Sequence, residues 1–289
     1  MLPESSRELE RLRAAGERLG VGFVVPAGPL LTDDLPAALT AAEALRAPTV
    51  RCTLSTVLCG ERNSAPGGWP DHLKRCRARI EELLPEFERA GVALALENHQ
   101  DADSSDLLNL CTAFESRYLG VTLDCANPLA VMEHPVEFAR RLAPYLRHSH
   151  LKDYRIHHAA TGCRLVRCAV GSGVVNFPEL LQLFTEQEWP ITTTIEMGAL
   201  EARLIPFLEA RWWDNYPGRS LSNSVSALRV IWDGVRPRSE DWRTPFEKDS
   251  PGSDLALYER RQLNHSVSYL RALKNRNAVP APADQPFGA

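Results

Sequence analysis

Val92-Ala-Leu-Ala-Leu-Glu97 is an apolar run that closes on a single acid, and Leu119-Gly-Val-Thr-Leu-Asp124 repeats the arrangement. Leu146-Arg-His-Ser-His-Leu151 and Ile191-Thr-Thr-Thr-Ile-Glu196 likewise place a polar, metal-competent side chain at or near the end of a strand-length segment. Helical patterns lie between them, from about Pro70 to Ala90, from a cap near Ser104 or Ser105, and over Pro135 to Tyr145, with Phe177 to Glu188 preceding the last strand. Working outward, Leu9, Leu12 and Leu19 stand at helical spacing between Ser5 and Gly20. The strand Val21 to Pro26, the helix Asp33 to Ala47 and the strand Thr49 to Leu54 follow. Six strands alternating with helices predict a parallel sheet, either doubly wound or closed as a barrel.

The placement of polar residues favours the barrel. Side chains alternate along a strand, so positions 95/97, 122/124, 148/150 and 194/196 share one face. Leu94/Leu96, Val121/Leu123 and Ile191/Ile195 occupy the other and suit packing under outer helices. Functional groups gathered at the C-terminal ends of several strands are the barrel arrangement. A nucleotide-binding doubly wound sheet would show Gly-x-Gly-x-x-Gly after its first strand, whereas the Gly-x-Gly here, Gly171-Ser-Gly173, follows no convincing strand. After Leu208 the texture changes to Trp212-Trp213, Tyr216-Pro-Gly and Trp242-Arg-Thr-Pro, with a helix from about Ser253 to Lys274 and a frayed proline-rich tail from Pro280. The expected division is residues 1–210 as an α/β barrel and 211–289 as a helical C-terminal extension.

Composition narrows the function classes. The chain has 289 residues, 44% of them hydrophobic and 24% charged, enough for a sizeable core and unlike a disordered chain. With 33 Lys+Arg against 37 Asp+Glu, the net charge of −4 offers no footprint for nucleic acid. No run of apolar residues is long enough to span a bilayer, and Met1 to Arg7 carries no signal-peptide pattern, so a soluble cytoplasmic protein is expected. The seven cysteines are odd in number and include no Cys-x-x-Cys pair, so each reads as a small buried hydrophobe.

Glu97, Asp124, His150 and Glu196 make a hard oxygen and nitrogen donor set suited to Mn²⁺, Mg²⁺ or Co²⁺. Each taken singly reads as a solvated strand end; their coincidence on one face points to a divalent metal. Around them, His99 reads either as a substrate contact or as a loop histidine, and Asn127 as a contact or as a turn former before Pro128. Lys152, Asp153 and Arg155 follow His150 at the mouth, where they could hold hydroxyls, a carboxylate or a phosphate, or form a surface salt-bridge set. His148 reads as a packed residue below His150, and His157 and His158 as surface residues of a flexible loop.

Five segments in order, Leu96-Glu-Asn-His-Gln-Asp101, Val121-Thr-Leu-Asp-Cys-Ala-Asn-Pro128, His148-Ser-His-Leu-Lys-Asp153, Gly171-Ser-Gly-Val-Val-Asn-Phe177 and Ile195-Glu-Met-Gly198, resemble the successive signatures of the sugar phosphate isomerase/epimerase family, the xylose isomerase-like TIM barrels. The resemblance spans about residues 5 to 210. It implies that Glu97, Asp124, His150 and Glu196 hold one divalent ion, with Mn²⁺ foremost and Mg²⁺, Co²⁺ or Zn²⁺ as alternatives, and that Glu97 and Glu196 double as the proton-transfer pair. It implies a sugar or polyol isomerase or epimerase working through an enediolate, with a dehydratase or lyase on keto-sugars or keto-polyols as the alternative. A non-catalytic member is the other reading. The family's abasic-site endonucleases need further histidines on earlier strands, and before Glu97 only His72 occurs.

Counted against that family, the first two strands have no counterpart in this chain. The expected fold is therefore a TIM-barrel-like parallel (β/α) sheet lacking two strands, its edge covered by the extension or by a second copy in a homo-oligomer. The expected partner is a small sugar or polyol, with neither nucleic acid nor membrane.

Overall fold

A computed structural model describes residues 5–277; the tail from Pro280 lies outside the described residues. Helix α1 (Ser6–Leu19) starts where the Ser5 hydroxyl accepts from the Glu8 amide and stops at Gly20, whose φ of 65° is the left-handed conformation glycine tolerates. Elements β1 (Val25–Pro29), α2 (Leu35–Leu45), β2 (Thr49–Thr53), α3 (Trp69–Ala90), β3 (Ala93–Glu97), α4 (Ser104–Thr112), β4 (Leu119–Asp124), α5 (Pro135–Leu142) and β5 (Leu146–Leu151) follow in alternation. Then come β6 (Asp153–Ala159), β7 (Gly162–Cys168), α6 (Phe177–Thr185), β8 (Thr192–Ile195), β9 (Arg203–Ile205), α7 (Ala210–Trp213), α8 (Val225–Gly234) and α9 (Gly252–Asn277).

The main sheet is parallel, in the order β1-β2-β3-β4-β5-β8. It is six strands of a TIM barrel, with no ladder joining β8 back to β1. Leu94, Leu96, Val121 and Leu123 are wholly buried in the same core as Ile80 and Phe87 of α3, Leu107 of α4 and Phe138 of α5. The first strand begins at Val25, opposite Val50, and not at Val21, because the chain leaving α1 first closes a turn in which the Val21 amide bonds to the Gly16 carbonyl. Pro26 and Pro29 are tolerated within β1 because it is an edge strand.

Two expectations are corrected. Residues 153–168 are no flexible loop. They form the antiparallel hairpin β6–β7, joined through Ala160 and Thr161, and β9 adds a third strand. Tyr154 and Ile156 pair with Arg167 and Leu165 on one face, a period-two alternation that the interspersed arginines and histidines obscure. His157 is buried 4.0 Å from Glu240, whereas His158 is exposed.

The second correction concerns the extension. Among the described residues it does not cover the open side of the barrel, where a cleft of about 740 Å³ runs between Val24 and Pro48 on one side and His148 and Thr192 on the other, with no described residue beyond Thr194 in its lining. It lies instead across the loops at the C-terminal ends of the strands. Trp212 Nε1 donates to the Cys59 carbonyl (2.9 Å). The Tyr216 ring packs against the Arg62 and Arg219 guanidinium groups, each 4.3 Å from its centre. Those cations reach Asp103 at 3.1 and 2.7 Å, and Arg62 also reaches Asp106 at 2.6 Å. From α9, Ser266 Oγ accepts from Val170 and Glu259 Oε1 from Ala199. No helix among the described residues is long and apolar enough to cross a membrane.

Removing one partner of a buried ion pair leaves an uncompensated charge. Arg62→Met should therefore cost about 3–5 kcal/mol at neutral pH. Burial pushes the Asp106 carboxyl up to about 6 despite Arg62 beside it. Without the Arg62 cation that carboxyl is pushed up further, so its orphaned charge is taken up by protonation as the pH falls, and urea titrations should show a smaller loss at pH 5 than at pH 7.

Candidate metal centre

The strand register carries four side chains to one height. Glu97 lies opposite Thr122, Asp124 opposite His150, and His150 opposite Thr194, so the inward faces of β3, β4, β5 and β8 meet at their C-terminal ends. Glu196, one residue past β8, is kept in the ladder by its amide bonding to the Leu151 carbonyl (3.1 Å). One donor atom from each of Glu97, Asp124, His150 and Glu196 falls within 4.8 Å of the others.

His150 Nδ1 stands 3.0 Å from Glu196 Oε2 and 3.4 Å from Glu97 Oε1. Glu97 Oε2, Glu196 Oε2 and His150 Nδ1 are buried and make no hydrogen bond of good geometry, although Arg51 stands 3.1 Å from Glu97 Oε2 and the other two atoms face each other as an ion pair. Buried polar atoms ordinarily find partners. The Glu196 and His150 atoms, with donors of Glu97 and Asp124 within 4.8 Å, make a set that fits a hard divalent cation.

Burying three carboxylates requires nearby positive charge, and the surrounding groups supply it. Lys152 is fully buried, its ammonium bonded to Asp124 Oδ2 and 2.8 Å from Glu196 Oε1. Arg51, an inward residue of β2, reaches Glu97 Oε2 at 3.1 Å. Burial pushes Asp124 up to about 6 against the pull of Lys152. For Glu196 burial opposes ionisation, but His150 and Lys152 outweigh it and hold the carboxyl well below its ordinary range. Glu97 is lowered in the same way by His150 and Arg51. Burial disfavours the His150 cation, yet Glu196 and Glu97 raise it to about 9.

The supporting contacts lock these groups in place. Asn98 Nδ2 donates to the Asp124 carbonyl (2.9 Å) while Asn98 Oδ1 accepts from the Asp124 amide (2.7 Å). Asn127 Nδ2 donates to Asp124 Oδ2 (2.7 Å), and Asn127 Oδ1 accepts from Tyr154 (2.9 Å). His148 lies one layer below, its nitrogens 2.8 and 3.1 Å from the Thr192 and Thr194 hydroxyls. Burial, with His150 nearby, depresses it to about 4 and keeps it neutral.

Among the other residues read as substrate contacts, Lys152 belongs to the cluster itself, and Asn127 stands behind Asp124 with its side-chain amide engaged. His99 lies beside the cluster, its Nδ1 buried without a hydrogen-bond partner and its pKa lowered by burial. Asp153 and Arg155 are not brought in. The Asp153 carboxylate accepts from the amides of Tyr154, Gly171, Gly173 and Val175, which shapes the 171–175 turn. Arg155 pairs with Val166 on the face of the hairpin opposite Tyr154, beside Tyr258. Arg51, Asn98, Tyr154 and Arg167 are missed by the sequence reading. Arg51 shares the parity of Thr49 and Thr53, and that alternation was the available signal.

The family profile of the xylose isomerase-like TIM barrel matches residues 5–216. The 3-oxo-isoapionate decarboxylase of Pectobacterium atrosepticum is 29% identical over 194 residues, which cover 66% of this chain and 67% of that protein. The structure of an L-ribulose 3-epimerase superposes with a TM-score of 0.56 at 14% identity, covering 99% of this chain and 87% of the other. For the 3-keto-D-glucoside 4-epimerase YcjR of E. coli the TM-score is 0.52 at 11% identity, over 78% and 84% of the two chains. At such identities the two structures speak to the fold alone.

The His150 proton must leave before its nitrogen can bind a cation, so metal uptake releases protons. Titration of the metal-free protein with Mn²⁺ should give one ion per chain, with affinity rising from neutral pH toward 9; absence of any bound divalent ion by elemental analysis would refute the donor set. Lys152→Met strands the Asp124 charge and should lower stability by about 3–5 kcal/mol. Mn²⁺ should restore part of that loss in thermal unfolding.

Proposed function

The chain belongs to the xylose isomerase-like TIM barrel family, and on that footing we propose that it is a divalent-metal-dependent isomerase or epimerase of a sugar or polyol, acting through an enediolate. The observation that carries the reading is the gathering of one donor atom from each of Glu97, Asp124, His150 and Glu196 within 4.8 Å of the others at the C-terminal ends of the strands. A proton next to a carbonyl is held far above neutral pKa, so its removal requires a positioned base and an electrophile for the developing oxyanion. Glu97, Asp124, His150 and Glu196 would hold a divalent ion, which would supply that electrophile.

The protein groups divide the remaining work. Glu196 and Glu97 are both kept ionised by their cationic neighbours and can accept a proton at neutral pH. A proton taken by one and returned by the other gives epimerisation; a proton taken and returned by a single carboxylate gives aldose–ketose isomerisation. Lys152 and Asn127 fix the orientation of Asp124, and Arg51 that of Glu97.

A second reading is a lyase, and the similarity to a decarboxylase favours it. In a 3-oxo acid the bond to the carboxyl carbon breaks, its electrons pass to the 3-oxo oxygen, carbon dioxide leaves and the resulting carbanion takes up a proton. β-Elimination from a keto-sugar starts from the same proton abstraction as isomerisation.

Deuterium wash-in over a panel of ketoses, keto-polyols and 3-keto-glycosides in the presence of Mn²⁺, with carbon dioxide release measured for 3-oxo sugar acids, separates these readings. Glu196→Gln should abolish exchange with the circular dichroism spectrum unchanged. Exchange at the wild-type rate would remove Glu196 from the proton-transfer pair.

A further inference from the structure

Two of the cations at the centre are held by close ion pairs, and a third beside it is not. Lys152 is committed to Asp124 and Glu196, Arg51 to Glu97, and Arg155 lies on the outer face of the hairpin. Arg167 of β7 pairs with Tyr154, so it shares the hairpin face whose tyrosine hydroxyl touches Asn127 behind Asp124. Its side chain is only 13% exposed, and its acidic neighbour Glu196 is 3.9 Å away, beyond hydrogen-bond reach. Among the described residues the guanidinium makes no hydrogen bond. Gly198, two residues past Glu196, has room for it: a Cβ there would stand 3.0 Å from Arg167 Nη1.

A guanidinium has five donors in a planar fork and cannot lose its charge. Those of Arg167 make no hydrogen bond among the described residues and keep some contact with solvent, so they are open to an anionic ligand. We propose that Arg167 seats an oxyanion of the substrate, a carboxylate or a phosphate, as a bidentate pair. The inference rests on the enediolate reading and narrows its substrate class from neutral sugars to sugar acids or sugar phosphates. The seat adjoins Glu196, so an anchored anionic group would lie a short carbon chain from the carbon whose bond breaks. Arg167 is in this sense a specificity residue, one that distinguishes charged from neutral substrates of the same length.

The test is isothermal titration of wild-type, Arg167→Leu and Arg167→Lys proteins, each with and without Mn²⁺, using xylitol, D-xylonate, D-xylulose and D-xylulose 5-phosphate. The wild type should bind one of the anionic probes about tenfold to a hundredfold tighter than its neutral counterpart, the range a charge-assisted bidentate pair supports. Arg167→Leu should erase that preference, and Arg167→Lys should keep part of it. Loss confined to D-xylonate assigns the seat to a carboxylate, and loss confined to D-xylulose 5-phosphate assigns it to a phosphate. Equal affinities of wild type and Arg167→Leu for both anionic probes, with xylitol binding unchanged, would overturn the proposal. Failure to take up Mn²⁺ would count against the enediolate reading instead, and the metal-free titrations still compare the Arg167 variants.

Discussion

Three carboxylates meet at the C-terminal ends of β3, β4 and β8, and their mutual repulsion is the constraint around which the centre is organised. Glu97 and Asp124 are almost wholly withdrawn from solvent, with Glu196 beside them. Charges so placed persist only where cations or hydrogen-bond donors answer them. The closest answers come from three residues: Arg51 from β2, His150 from β5 and Lys152 just after it. The donors of Asn98 and Asn127 then fix which way Asp124 faces. The His150 cation, favoured by Glu196 and Glu97, and the Lys152 ammonium beside Asp124 answer much of that negative charge.

Much of this was legible in the sequence because strands repeat with period two. Once Glu97, Asp124 and His150 are read as strand ends, the inward and outward positions of three strands follow, and the parallel register puts those ends at one height. The boundary at Val21 was misjudged because Val21-Gly-Phe-Val-Val-Pro26 is apolar throughout, and hydrophobicity alone does not reveal that its first residues close a helix. The hairpin was missed for the opposite reason. Its alternation is carried by Tyr154, Ile156 and Leu165, while the intervening arginines and histidines resemble a solvated loop. Asp153 and Arg155 were grouped with Lys152 by adjacency, but successive residues of a strand point to opposite faces, so one neighbour entered the cluster and the others did not.

The extension binds the barrel chiefly through its loops. Trp212, Tyr216 and Arg219 engage the loops after β2 and β3, and α9 engages those after β7 and β8. Loops at this end of a barrel carry the chemistry and are its most mobile parts. The 211–277 segment therefore bears on how rigidly the mouth is held, and through Ala199 on the stretch that immediately follows Glu196.

An unclosed sheet leaves two rows of backbone donors and acceptors facing outward, which is ordinarily an invitation to a strand from another molecule. Strand β8 is four residues long and β1 five, and two of those five, Pro26 and Pro29, have no N–H to offer. A visiting chain would find a short ladder with missing rungs. The residues that make β1 irregular thus also make the interrupted barrel a poor template for sheet growth, so that the cleft between β8 and β1 can stay open without turning the protein into the seed of a fibre.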